Sequence, residues 1–140
     1  MIARFLFVLM GIWCVAGMDH AEAVAQEPSV AEPIRVACVG NSVTRGYGLA
    51  DPAADAYPSQ LQELLGHNYK VGNFGHSGAT LLSKGHRPYV QTPEYDGALG
   101  FNADVVVIHL GLNDTDPRNW PNHRDQFVAD YLRLIESFKQ

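Results

Sequence analysis

Positive charge is scarce in this sequence. Lys and Arg number 10 against 15 Asp and Glu, for a formal net charge of −5. That balance excludes the basic surface of a nucleic-acid binder. Cysteine is nearly absent, with Cys14 and Cys38 the two present. Long apolar runs are missing too. Residues 5–17 make thirteen uncharged positions, short of the about 20 that a membrane-spanning helix needs. There is no internal repeat, no low-complexity stretch and no run of like charges. Neither G-x-x-x-x-G-K-[ST] nor G-x-G-x-x-G occurs, which leaves phosphate and dinucleotide binding without their usual loops. What is present is 46% hydrophobic and 18% charged residues over 140 positions. That composition calls for a packed core, and the length allows one domain at most.

The first 25 residues are expected to be a secretory signal peptide. Arg4 precedes the apolar stretch, small residues follow it, and Ala23-Val24-Ala25 fits an A-x-A cleavage site. The expected destination is therefore periplasmic or extracellular, with no membrane span in the mature form. Cleavage after Ala25 leaves nine basic and thirteen acidic residues and one cysteine, Cys38. An intramolecular disulfide is then impossible. Cys38 sits in an apolar strand pattern and reads as a small core residue. Residues 26–33, with Pro28 and Pro33, read as a linker to a domain at 34–140.

Strands and helices alternate along that domain. Ile34–Val39 and Tyr69–Asn73 read as short strands, and Asp104–Leu110 as the strongest strand. Tyr57–Leu65 reads as a helix, with Pro58 in its first turn and Gly66 at its end. Asn122–Lys139 reads as a second helix with Asn122 as N-cap. There Phe127, Tyr131, Leu134, Ile135 and Phe138 recur at helical spacing and form a core stripe. The order β-α-β-loop-β-α predicts an α/β fold, a parallel sheet with helices on both faces. In the flavodoxin-like order 2-1-3-4-5 the third strand is central. With no fourth strand following, the domain is expected to be truncated after the third strand and its helix, leaving a flat apolar edge.

Ligands of open α/β sheets bind at the carboxyl ends of the strands. Three polar segments fall there: Gly40–Thr44, Asn73–Thr80 and Gly111–Asp114. A serine at a strand-to-helix turn, with a glycine and an asparagine on neighbouring loops, suits acyl transfer. The serine attacks a carbonyl while backbone N–H groups and an amide hold the oxyanion. Singly, each has a plainer reading: Ser42 as helix N-cap, Gly78 as turn glycine, Asn113 as turn asparagine. Their joint placement favours the chemistry.

The segments VACVGNSVTRGYG, YPSQLQELLG, VGNFGHSGATLL, TPEYDGALGFNADVVVIHLGLND and DQFVADYLRLIESF resemble the SGNH (GDSL-type) esterase family. Within it they are most similar to bacterial sialate O-acetylesterase-like acetylesterases. The resemblance runs from about Ile34 to Phe138. It implies a flavodoxin-like three-layer α/β/α SGNH-hydrolase fold. It also implies Ser42 as nucleophile, and the Ser42 N–H, the Gly78 N–H and the Asn113 amide as oxyanion hole. His76 is a candidate substrate contact. The implied substrate is an O-acetylated carbohydrate, with sialic acid leading and xylan or another plant polysaccharide as the rival. No cofactor or metal is implied.

The sequence departs from the family twice. Asn41 stands where the family carries Asp, keeping its size without its charge. No Asp-x-x-His occurs, although the family draws its general base from such a block. Without a base, a serine hydroxyl is a poor nucleophile. His76 and His109 are the nearest candidates to replace it; His67, His86 and His123 are assigned no chemistry. The second hypothesis is accordingly a catalytically incomplete or non-enzymatic relative. A missing segment or a second chain would then supply Asp and His. A flavodoxin-like cofactor binder is a third reading, resting on fold alone. In the Ser83–Gly100 connection, Arg87, Tyr89 and Tyr95 are expected either to shape a sugar-binding rim or to cover the sheet. Asp114 is expected to orient Asn113 or to bond its own turn.

Overall fold

The computed structural model describes residues 31–139. The expected leader at 1–25 and most of the expected linker lie outside them. Residues 31–33 carry no regular structure.

Three parallel strands form the sheet in the order β2-β1-β3, as the alternating pattern predicts. β1 spans Ile34–Gly40, β2 spans Tyr69–Gly75 and β3 spans Val105–His109. The outer two pair with β1 from Ile34↔Tyr69 to Gly40↔Gly75 and from Val36↔Val105 to Gly40↔His109. Gly40, Gly75 and His109 therefore end level with one another, and the three following loops emerge side by side.

Side chains of a strand alternate between faces. One face carries Ala37, Val39, Phe74, Val106 and Ile108, packed with Tyr89, Ala98 and Leu134. It is covered by α4 (Pro93–Gly100) and α6 (Phe127–Ser137). The expected stripe holds: Leu134 is buried, and Phe127, Tyr131 and Phe138 pack on the core. The other face carries Val36, Cys38 and Val71 beneath α1 (Ser42–Arg45) and α3 (Tyr57–Leu65). Cys38 is fully buried there, as expected. Beyond β1 this cover ends among the described residues, and Val105 and Val107 are 47% and 38% exposed. An unbroken apolar run suits a strand covered on both faces, but here β3 is covered on one.

Three element assignments differ from the sequence reading. The 83–100 connection contains α4, whose start is set by Pro93 and by the Thr92 hydroxyl accepting from the Tyr95 N–H. Gly97 and Gly100 mask it, since glycine weakens helix propensity. A short helix α2 (Pro52–Asp55), capped by Asp51, precedes α3. The expected helix at 122–139 is split into α5 (Trp120–His123), a 3₁₀ turn at Arg124–Gln126, and α6. Asn122 is not an N-cap. It lies inside α5, where its amide donates to the Arg118 carbonyl. The break falls at His123, whose φ and ψ of −136° and 0° leave the helical range.

Among the described residues no helix is long and apolar enough to cross a membrane.

Candidate active site

Ser42 opens α1 directly after β1. Asn41, fully buried, is the N-cap, and its Oδ1 accepts the Val43 N–H at 3.0 Å. Capping is thus Asn41's work, and the plainer reading of Ser42 falls away. Among the described residues, neither the Ser42 hydroxyl nor its N–H has a hydrogen-bond partner. The carbonyl of Ser42 accepts from Gly46 and Tyr47, which fixes the turn. Among the described residues Asn41 Nδ2 is buried without a partner.

α1 is held close against β2. A Cβ on Gly75 would stand 2.2 Å from the Arg45 nitrogen and 2.8 Å from the Thr44 carbonyl carbon. Only a glycine permits that approach of backbone to backbone. Asn73 adds a side-chain clamp, its Nδ2 donating to the Thr44 carbonyl at 2.8 Å.

Gly78 lies in the turn His76–Ala79, closed by Ala79 N–H to His76 O at 3.1 Å. Its φ is +81°, and Ser77 is not among the residues with positive φ. Positive φ at the third position alone defines a type II turn, which favours glycine there. Gly78 is a turn glycine in the plain sense, and its N–H also has no acceptor among the described residues.

Asn113 is not a locally bonded turn residue. Its Nδ2 reaches across to the Ala79 carbonyl at 2.8 Å, which uses one of its two N–H groups. Asp114 takes neither of its expected roles. Its buried carboxylate accepts the Leu81 N–H at 2.9 Å and the Leu82 N–H at 2.7 Å. Asp130, on α6, accepts from Ser83 N–H at 2.8 Å. Asn119 ties a third strap. It bonds the His86 N–H and ring nitrogen and the Asn113 carbonyl, each at 2.9 Å. Sequence reasoning missed these anchors, because each bridges segments that no local pattern connects.

The histidines and the rim residues take separate places. His76 Nδ1 stands 2.8 Å from Glu94 Oε2, and Arg45 lies 3.7 Å from the same carboxylate. No bond joins His76 to Ser42 among the described residues. His109 ends β3 and is exposed. Tyr89 and Tyr95 cover the sheet: Tyr89 is fully buried, donates its hydroxyl to the Phe74 carbonyl at 2.7 Å, and packs edge-on against Tyr95. Burial pushes the Tyr89 hydroxyl well above its ordinary range. Arg87 is the exposed member of the three, with Nη1 3.0 Å from the Ser77 carbonyl. On the outer flank, hydrogen bonds from Arg118 hold the half-buried Asp116 carboxyl well below the usual carboxylate range.

Comparison with known proteins bears on the family and the fold. The model of the GDSL-like Lipase/Acylhydrolase family matches residues 38–140. An acetylxylan esterase of Xylanibacter ruminicola is 45% identical over 108 residues, covering 77% of this chain and 22% of that protein. The crystal structure of AlinE4, a SGNH-hydrolase family esterase, superposes with a TM-score of 0.57 at 26% identity. It covers 79% of this chain and 57% of that one. A variant of AlinE4 superposes at 0.56 with 25% identity. The chain thus spans about a fifth of the curated relative and just over half of the solved esterase. With the match running through all three loops at the sheet's carboxyl edge, the chain belongs to the GDSL-like lipase/acylhydrolase family, on an SGNH-hydrolase fold.

Proposed function

We propose that this protein is a serine acetylesterase acting on an O-acetylated carbohydrate. One observation carries the reading. Two N–H groups without acceptors among the described residues, those of Ser42 and Gly78, stand with the Asn113 amide on adjacent loops of one sheet edge.

In the proposed reaction Ser42 Oγ bonds to the acetyl carbonyl carbon and loses its proton to a general base. The carbonyl oxygen gathers the negative charge and is held by the Ser42 N–H, the Gly78 N–H and the second N–H of Asn113 Nδ2. Each good donor is worth about 2.7–4 kcal/mol to the transition state. Collapse breaks the ester C–O bond, and the sugar oxygen leaves with the base's proton. Water then attacks the acetyl-serine and releases acetate. The general base is assigned to a His and its Asp partner outside residues 31–139, from a further segment or a second chain.

The relative's acetylxylan esterase activity and the resemblance to sialate O-acetylesterases support two sugars equally, xylan and sialate. His76 is proposed as a contact to that sugar. Export is proposed from the order of charge, apolar stretch and small residues in positions 1–25.

Acetate release from acetylated xylan and from O-acetylated sialic acid by the full-length protein tests the reading, with Ser42→Ala as control. Release abolished in Ser42→Ala is expected, and the faster substrate identifies the sugar. Release unaffected by Ser42→Ala would remove the serine mechanism. No release from either sugar or from an aryl acetate would favour the non-catalytic relative.

A further inference from the structure

Arg87 is the one rim residue of the 83–100 connection left facing solvent, and its place is specific. Its Nη1 donates to the Ser77 carbonyl at 3.0 Å. Its guanidinium lies over the next residue: a Cβ on Gly78 would be 2.9 Å from Nη1 and 3.6 Å from Cζ. No carboxylate pairs with Arg87 among the described residues. Its backbone is fixed, since the Arg87 carbonyl accepts the Thr80 N–H at 2.8 Å and Tyr89 N–H bonds Thr80 O at 2.9 Å.

The Ser77 carbonyl and the Gly78 N–H belong to one peptide unit. In a trans peptide these two groups point in opposite directions, and the described chain has no cis bond. That unit is the central peptide of the type II turn at His76–Ala79. Types I and II differ by a reversal of this same peptide: ψ at the second position and φ at the third both change by about 150–170°. Glycine tolerates both forms. Left alone, the peptide at 77–78 can turn over, exchanging a donor for an acceptor at the site. An acceptor facing an oxyanion repels it.

We propose that Arg87 is a positioning residue that holds the Ser77–Gly78 peptide in the orientation presenting the Gly78 N–H to the oxyanion. A charged donor on the carbonyl secures the plane of the amide. It also polarises the amide and strengthens its N–H as a donor. The inference rests on the proposed esterase reading and adds to it the residue that keeps one oxyanion donor in place.

The test uses the full-length protein with Arg87→Ala and Arg87→Lys, an aryl acetate as substrate, and the ¹H–¹⁵N resonance of Gly78. In Arg87→Ala, kcat is expected to fall about tenfold to a hundredfold, less than the ~10²–10³ of deleting a donor outright. KM should stay within about twofold, because the oxyanion exists only in the transition state. Arg87→Lys and added guanidinium ion should each restore part of kcat, and the Gly78 amide resonance should move in Arg87→Ala. A raised KM with kcat unchanged would overturn the proposal and make Arg87 a substrate contact. An unmoved Gly78 resonance would also overturn it. If the parent protein hydrolyses no ester, the esterase reading fails by itself, while the Gly78 resonance still decides whether Arg87 holds the peptide.

Discussion

Asp114 Oδ1 accepts the Leu82 N–H at 2.7 Å, so the loop after β3 grips the loop after β2 from within. The same carboxylate takes the Leu81 N–H, and all three residues are buried. Removing it strands two buried donors. Asp114→Ala is expected to destabilise the protein by about 2–6 kcal/mol, from the roughly 1–3 kcal/mol cost of each unsatisfied group. Asp114→Asn keeps the shape but turns an NH₂ toward an N–H, and should recover only part of that loss. Urea unfolding of the three proteins measures the difference.

Two glycines should answer the same substitution in opposite ways. Gly75→Ala drives a methyl into the backbone of Thr44 and Arg45, which cannot rotate away. The expected loss is about 1–3 kcal/mol or more, and Ser42 shifts with α1. Gly97 lies inside α4, where an added Cβ meets Phe74 carbons at 3.5 and 3.6 Å, ordinary contact. Gly97→Ala should therefore stabilise by about 0.5–1 kcal/mol through helix propensity. Thermal unfolding of both variants checks the pair of signs.

The residues that local pattern made legible are those whose neighbours in space are neighbours in type. β1 and β3 stand out as apolar runs, and their parallel pairing follows from the helices between them. Tyr57–Leu65 carries its own start and stop signals. α4 escaped because Gly97 and Gly100 hide a helix that Thr92 and Pro93 begin. The expected helix overran into α5 because Asn122 offers a cap-type side chain ahead of an apolar stripe that begins only at Phe127, on α6. At the candidate site, position after a strand pointed to Ser42, Gly78 and Asn113. It could not show that Asn41 does the capping, or that Asp114, Asn119 and Asp130 fasten the loops. The bonds from these residues to the 81–86 segment span 32 to 47 positions, and a lone buried Asp or Asn leaves no periodic signal.

Asn113→Ala separates stability from chemistry. Among the described residues the side chain's one bond is to the Ala79 carbonyl, from an amide that is half-buried. Its loss should cost about 0.5–1.5 kcal/mol of folding stability. If Asn113 serves the oxyanion, kcat on an aryl acetate should fall by about 10²–10³ with KM little changed. A fall in kcat no larger than tenfold would mark Asn113 as a loop tie alone.

Tyr57 is expected to make the fold sensitive to alkali. It packs over Cys38 on the α3 side of the sheet, with its hydroxyl 3.4 Å from Thr44 Oγ1. Burial pushes its hydroxyl up to about 12, from an ordinary value of 10.0. A pKa raised on folding means that the neutral form is the one the native state favours. Its contribution is therefore complete below pH 10, and it is lost as pH rises from there through about 12. The thiol of Cys38 is raised by burial as well, and adds to the same trend. Tyr57→Phe removes the ionisation while keeping the ring. The variant should lose less Tm than the parent between neutral pH and pH 11, although it forfeits the Thr44 contact at every pH. Equal losses in the two proteins would place the alkaline sensitivity elsewhere, with the buried Tyr89 hydroxyl the next group to replace.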